Sequence, residues 1–336
     1  MRSSPKNLVL NLVLVLLPLA LLLGSLGVGA YQISLPQALE VLWRALIRAP
    51  QTADRVVVGL VLDVRLPRIL AAAMVGVGLA VSGSVFQGLF GNPLADPYTL
   101  GVSNGAGFGA GLAIVLSMPS VVTQLSAMGF GMAAVGLTFL LSARSPRSSV
   151  TLVLSGMLVS ALFSSLVALL KFTSDPFEKL PQIVFWLMGS LVSVSYDKLL
   201  LILPAYLVAL AVLMLYRWRI NVLSMGSREA RSFGVDVRRD RTVVILASTL
   251  LTAMVVSVAG IIGWVGIVIP HLARMLVGPD FRRLMPASAS LGICYLLVID
   301  NLCRTLTATE IPIGVITGIV GIPLFVYFIY RKKVSW

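Results

Sequence analysis

The sequence predicts an all-α, polytopic membrane protein of about ten transmembrane helices, folded as a single domain over residues 1–336. Three observations predict it. Of the residues, 58% are hydrophobic and only 12% charged, where an average soluble domain carries about 25% charged residues. Apolar runs recur along the whole length, many near the roughly 20 residues that cross a bilayer core of about 30 Å. The basic residues also collect on alternate connecting segments. With ten spans and a cytoplasmic start, the inner segments hold 17 of the 26 Lys and Arg against five acids, which is the asymmetry of the positive-inside rule. The formal charge of +13 is therefore topological, with both termini cytoplasmic. Basic residues dispersed over loops tied to spans speak against nucleic acid.

The spans are read near 7–29, 62–90, 98–116, 121–143, 149–171, 197–216, 242–262, 265–277, 284–304 and 312–330. The first, behind Arg2 and Lys6, also has the outline of a signal peptide, but the run is longer than a signal core. The second is opened by Arg65-Leu66-Pro67-Arg68 and ends in a polar turn, Asn92-Pro93 and Asp96-Pro97, before a glycine-studded third span. Such a break is tolerated in a membrane only where protein or a water-filled cavity covers it, so it marks a transport path. The eighth span is short and carries Pro270, expected to break its helix. Gly260, Gly263 and Gly266 before it permit a turn or tight backbone packing. Gly83, Pro93 and Gly101 recur at Gly260, Pro270 and Gly278 with a constant offset of 177. Matching the second span to the seventh makes an inverted repeat, a common transporter plan.

Other chemistries find little support. Cys294 and Cys303 lie nine apart on one helix and His271 is the single histidine, so no set of three or four metal ligands assembles. No cofactor site is expected. There is no GxxxxGK[ST] loop to hold nucleotide phosphates; if transport is ATP-driven, the ATPase is another polypeptide. An ion-coupled transporter would need an intramembrane carboxylate, for which Asp300 and Glu310 are the candidates. A non-transporting scaffold would not need glycine-broken helices in both halves. The longest inner segment, 217–241, holds a short helix with Ser227 as its cap and Gly234 as its C′ stop. That segment is either a partner's docking site or a headgroup-bound amphipathic helix.

Four blocks resemble the FecCD family, the permeases of ABC importers for ferric siderophores, haem, cobalamin and related chelates. They are SGSVFQGLFGNPLADPYTLGVSNGA at 82–106, the Ala230-to-Val237 segment, AGIIGWVGIVIPHLAR at 259–274, and Asp300 to Arg304 followed by Glu310-Ile311-Pro312-Ile313-Gly314. The resemblance covers roughly 60–330. It implies a homodimer in the bilayer of the cell (inner) membrane, two cytoplasmic ABC ATPase subunits, and a periplasmic or lipid-tethered substrate-binding protein. It also implies that Arg228, Glu229, Ala230, Arg231 and Gly234 couple to the ATPase. Gln87, Asn92, Pro93, Gly263, Trp264, Gly266 and Pro270 become the candidate path and gating residues. Arg65, Arg68 and Arg304 would receive acids of the binding protein. An anion-steering surface and a simple Asp300–Arg304 pairing at i and i+4 are the competing accounts. Ile261 and Trp264 stand where the family usually has proline and phenylalanine, which keeps an oxyanion such as molybdate as the alternative to a metal chelate.

Overall fold

The computed structural model describes residues 5–143, 149–307 and 309–331, and its regular structure there is entirely helical. Arg2, Arg144, Arg147, Lys332 and Lys333, part of the expected inner charge, lie outside the described residues. The helices are α1 (Pro5–Gly24), α2 (Leu35–Leu46), α3 (Arg55–Gly59), α4 (Leu66–Phe90), α5 (Val102–Val115), α6 (Ser120–Ser142), α7 (Ser149–Thr173) and α8 (Lys179–Leu187). They continue as α9 (Tyr196–Leu215), α10 (Arg217–Ser224), α11 (Ser227–Ser232), α12 (Val237–Ala259), α13 (Val265–Val277), α14 (Phe281–Thr305) and α15 (Ile313–Arg331).

Six helices among the described residues are long and apolar enough to cross a membrane, and four shorter apolar ones occupy the remaining expected spans. The half-length members α5 and α13, at about 1.5 Å per residue, reach only about 20 Å, short of a full crossing. Each directly follows one of the two backbone breaks, 91–101 and 260–264. The central pair is α4 and α12, both 78% buried over their apolar windows, against 28% for the peripheral α9. α4 packs on α12, α13 and α14, while α12 packs on α4, α9, α6 and α5. The order long helix, break, short helix, two further helices thus occurs twice, and α4 on α13 and α14 mirrors α12 on α5 and α6. The 177-residue offset is not its register. Gly83 lies inside α4 whereas Gly260 ends α12, and Gly101 precedes α5 whereas Gly278 ends α13. The first break is longer than the second, so one constant offset cannot align the elements on both sides.

The prolines correct two expectations. Pro67 does not open a helix: the chain is helical from Arg55, passing through a π turn at Leu60–Arg65 directly before it. Pro270 does not break α13, which runs through it. A proline removes an N–H and leaves a carbonyl one turn back without its partner, and here side chains from other helices supply the missing donor. Tyr196 Oη donates to the Leu62 carbonyl, the π-turn partner that Pro67 cannot serve, at 2.6 Å. Gln87 Nε2 donates to the Gly266 carbonyl, four residues before Pro270, at 3.3 Å. Arg217 Nη1 donates to Arg282, four before Pro286, at 3.3 Å. Ser290 Oγ donates to Leu14, four before Pro18. In these four helices a neighbouring side chain completes the hydrogen bonding at the freed carbonyl; α9 and α15 also run through prolines, Pro204 and Pro323.

Candidate functional site

The two breaks meet inside the bundle. The first is a turn in which Gly91 (φ 57°) ends α4, and the Asp96 carboxylate accepts from the Tyr98 N–H to start a 3₁₀ turn, Pro97–Leu100. Tyr98 Oη then donates to the Ile262 carbonyl in the second break at 2.9 Å. In the second break Gly260 (φ 70°) caps α12, and Trp264 takes a left-handed conformation (φ 70°) to start α13. A non-glycine residue is uncommon there. Trp264 is accommodated by α15, where a methyl group at Gly321 would stand 3.0 Å from its Cβ and one at Gly318 would stand 3.9 Å from its indole. The backbone of α13 is pressed against α4: a methyl group at Gly83 would lie 2.0 Å from the Gly266 oxygen.

Of the expected path residues, the structure brings together Gln87, Gly266 and Pro270 through the Gln87 amide, which also reaches Ile267 at 3.1 Å. Trp264 and Gly263 lie in the break immediately before them. The Asn92 N–H donates to the Gln87 carbonyl at 3.2 Å, but its side chain does not join the group. The Asn92 side chain is exposed and accepts from the Leu94 N–H at 2.9 Å, which is a local turn contact. Gly318 and Gly321, the α15 glycines that face Trp264, had no reading in the sequence; with Gly314, which packs on the Met188 and Ile261 backbone, they make a small-residue stripe.

Segment 217–241 is helical rather than a loop. It contains α10 and α11, and α12 starts within it, five residues ahead of the expected span. The N-cap of α11 is Gly226 (φ 118°), one residue before the expected Ser227, which makes no capping bond. Its end is as expected. Gly234 has φ 74°, the Gly234 N–H donates to Arg231 at 2.9 Å, and the Val235 N–H donates to Ala230 at 3.1 Å. Those two bonds form a Schellman motif, whose C′ residue needs the left-handed region that glycine enters freely. Ala230 and Val235 are buried, which pins the helix down. Arg228, Glu229 and Arg231 are exposed beside Met225 and Phe233, 59% and 58% accessible. The result is a rigid projection with an apolar and cationic rim.

Arg65, Arg68 and Arg304 are not surface groups; each is 5% exposed. Arg68 pairs with Asp300 at 2.8 Å and with Glu310 at 2.6 Å, and Arg304 pairs with the same Asp300 at 3.1 Å. Arg304 also donates to the Val28 carbonyl at 3.1 Å, and Arg65 to the carbonyls of Leu26 and Tyr31. The expectation of exposed docking cations does not fit this arrangement. The cluster ties α4, α14 and Glu310, ahead of α15, to the chain after α1. Beside Glu310 opens a cavity of about 1250 Å³ between the ends of α5, α6, α9 and α12 and the helix α8. Lys179, Lys198, Gln124, Gln182 and several Ser and Thr hydroxyls line it, together with Phe185 and Trp186. Of its lining, Glu310 is the carboxylate marked out by the sequence; the other polar lining residues come from four separate segments and carry no shared motif.

The model of the FecCD transport family matches residues 15–331. The chain belongs to the FecCD transport family. It is 44% identical to the molybdate import system permease protein MolB of Haemophilus influenzae, over 92% of this chain and 91% of that one. It is 38% identical to the hemin transport system permease protein HmuU of Yersinia pestis, over 99% of this chain and 98% of that one. A solved structure described as an inward-facing conformation of an ABC transporter assigned to the metal-chelate type superposes with a TM-score of 0.87 at 41% identity, covering 98% of this chain and all of that one. As a FecCD-family protein the chain is a multi-pass membrane permease of the ABC importer type. The motif blocks read from its sequence are the two breaks, the α11 turn and the Asp300–Arg304 cluster described above.

Proposed function

We propose that this permease works as a homodimer with two cytoplasmic ABC ATPase subunits and an extracytoplasmic substrate-binding protein, and that it imports a metal chelate. The observation that carries the reading is the α11 projection, a short helix locked by Gly234 with an apolar and arginine rim. That shape suits insertion into a groove of a partner with acidic edges. The positive-inside asymmetry supports a cytoplasmic position for it. The paired breaks and half-length helices α5 and α13 suit alternating access, since broken helices in corresponding halves line the midplane of many transporters. ATP hydrolysis then resides on the partner chain. A second reading, import of an oxyanion such as molybdate, is favoured by the 44% identity to a molybdate permease.

One reconstitution tests both. The permease is placed in proteoliposomes with its ATPase and binding protein, and uptake of radiolabelled molybdate is compared with uptake of a ferric siderophore, haem and cobalamin. Chelate uptake dependent on ATP and on the binding protein is the expected result; molybdate uptake alone selects the second reading. Gly234→Val, which cannot hold the left-handed turn, should abolish ATPase binding while leaving membrane insertion intact. ATP hydrolysis by the isolated permease would overturn the assignment.

A further inference from the structure

We propose that α10 is the transmission element of this permease, and that Asn221 is its positioning residue, clamping the first turn of α14 to the segment that carries α11. The inference rests on the reading of α11 as the ATPase contact. Both ends of the Asn221 amide are used on one target. Its Nδ2 donates to Asp280 Oδ1 at 2.6 Å, and its Oδ1 accepts the Phe281 N–H at 2.8 Å. Asp280 is the N-cap of α14 and already accepts from the Arg282 N–H at 2.9 Å. The first N–H groups of a helix have no partner within it, and here the Phe281 N–H is taken by Asn221.

One turn further on, Pro286 frees the Arg282 carbonyl, and Arg217, also on α10, donates to it at 3.3 Å. α10 therefore holds α14 at its cap and at the carbonyl that its proline leaves open, where the helix's own hydrogen bonding is thinnest. On its other side Arg219 reaches both oxygens of the fully buried Asp240 of α12 at 2.7 and 2.8 Å. Phe281 closes the circuit onto α4, since a methyl group at Gly88 would stand 2.3 Å from its ring. Only Met225 and Gly226 separate α10 from α11. A displacement of α11 by a partner is thus delivered to α14 through two side chains of α10.

The test uses the full permease–ATPase complex in nanodiscs, with hydrogen exchange followed with and without ATP plus vanadate. In the natural protein, nucleotide should change exchange at 281–288 by at least about fivefold. Asn221→Leu should retain ATPase-dependent protection of 227–235 and lose the nucleotide-dependent change at 281–288. Persistence of the change in Asn221→Leu overturns the proposal. Failure of Asn221→Leu to assemble also overturns it, because Asn221 would then shape the docking surface. Absence of ATPase protection at 227–235 in the natural protein instead sinks the docking reading. Protection there without any change at 281–288 sinks this inference alone.

Discussion

Replacing Gly83 with alanine should loosen the half-helix α13 from α4. The added methyl would stand 2.0 Å from the Gly266 carbonyl oxygen, where ordinary contact begins at 3.4 Å, so α13 must retreat by about 1.4 Å. That retreat carries the Gly266 oxygen beyond reach of Gln87, now 3.3 Å away, and Pro270 offers it no N–H. Overpacking costs about 1–3 kcal/mol, and an orphaned buried carbonyl about 1–3 kcal/mol. The helix gains back up to about 1 kcal/mol from losing a glycine, for a net loss near 3 kcal/mol. At about 2–4 °C per kcal/mol, the melting temperature in detergent should fall by roughly 6–12 °C. Gly136→Ala on α6 is the control, because nothing lies within 4 Å of its Cβ position; it should be neutral or slightly stabilising. Gln87→Leu isolates the carbonyl contribution, about 1–3 kcal/mol, and should add less than that to Gly83→Ala because the bond is already broken. Equal melting temperatures for Gly83→Ala and Gly136→Ala would refute the close approach of α4 and α13.

Asp300→Asn should destabilise by about 3–5 kcal/mol, because it leaves the buried Arg68 and Arg304 without their shared counter-ion; thermal melting with size-exclusion monodispersity measures it. Reversing the charges of Arg65, Arg68 and Arg304 together should for the same reason abolish folded protein, and a folded triple variant with altered partner affinity would restore the docking role. Cysteines at Arg239 and Lys179 should react with an impermeant reagent from opposite sides of the membrane, the first from the cytoplasm, and the reverse pattern would invert the proposed topology. The Asp280 carboxyl is held below its ordinary value, chiefly by the Arg282 N–H and also by Asn221, with its slight burial opposing. A depressed folded value gives stability that is complete above the ordinary value near 4 and lost as pH falls through the lower one. The melting difference between the natural protein and Asp280→Asn should therefore be constant above about pH 5 and shrink toward pH 3; a difference that grew on acidification would contradict this sign.

The sequence by itself determined the helical membrane class, the places of the apolar segments, the two breaks and the Gly234 turn. These follow from local quantities: composition, run length, and the conformational freedom of single glycines. It also carried the Asp300–Arg304 pairing, because residues four apart share a helix face. What it left open depended on partners distant along the chain. The burial of Arg68 became visible only when Glu310, 242 residues away, was placed against it. The half-lengths of α5 and α13 followed from where the breaks sit within the bundle. The prolines show the division most clearly. Pro67 and Pro270 each remove one backbone donor, and that much is local. At these two prolines the helix continues with a donor from another helix on the freed carbonyl. Tyr196 and Gln87 supply it across 134 and 179 residues, a fact of tertiary packing that no local pattern encodes.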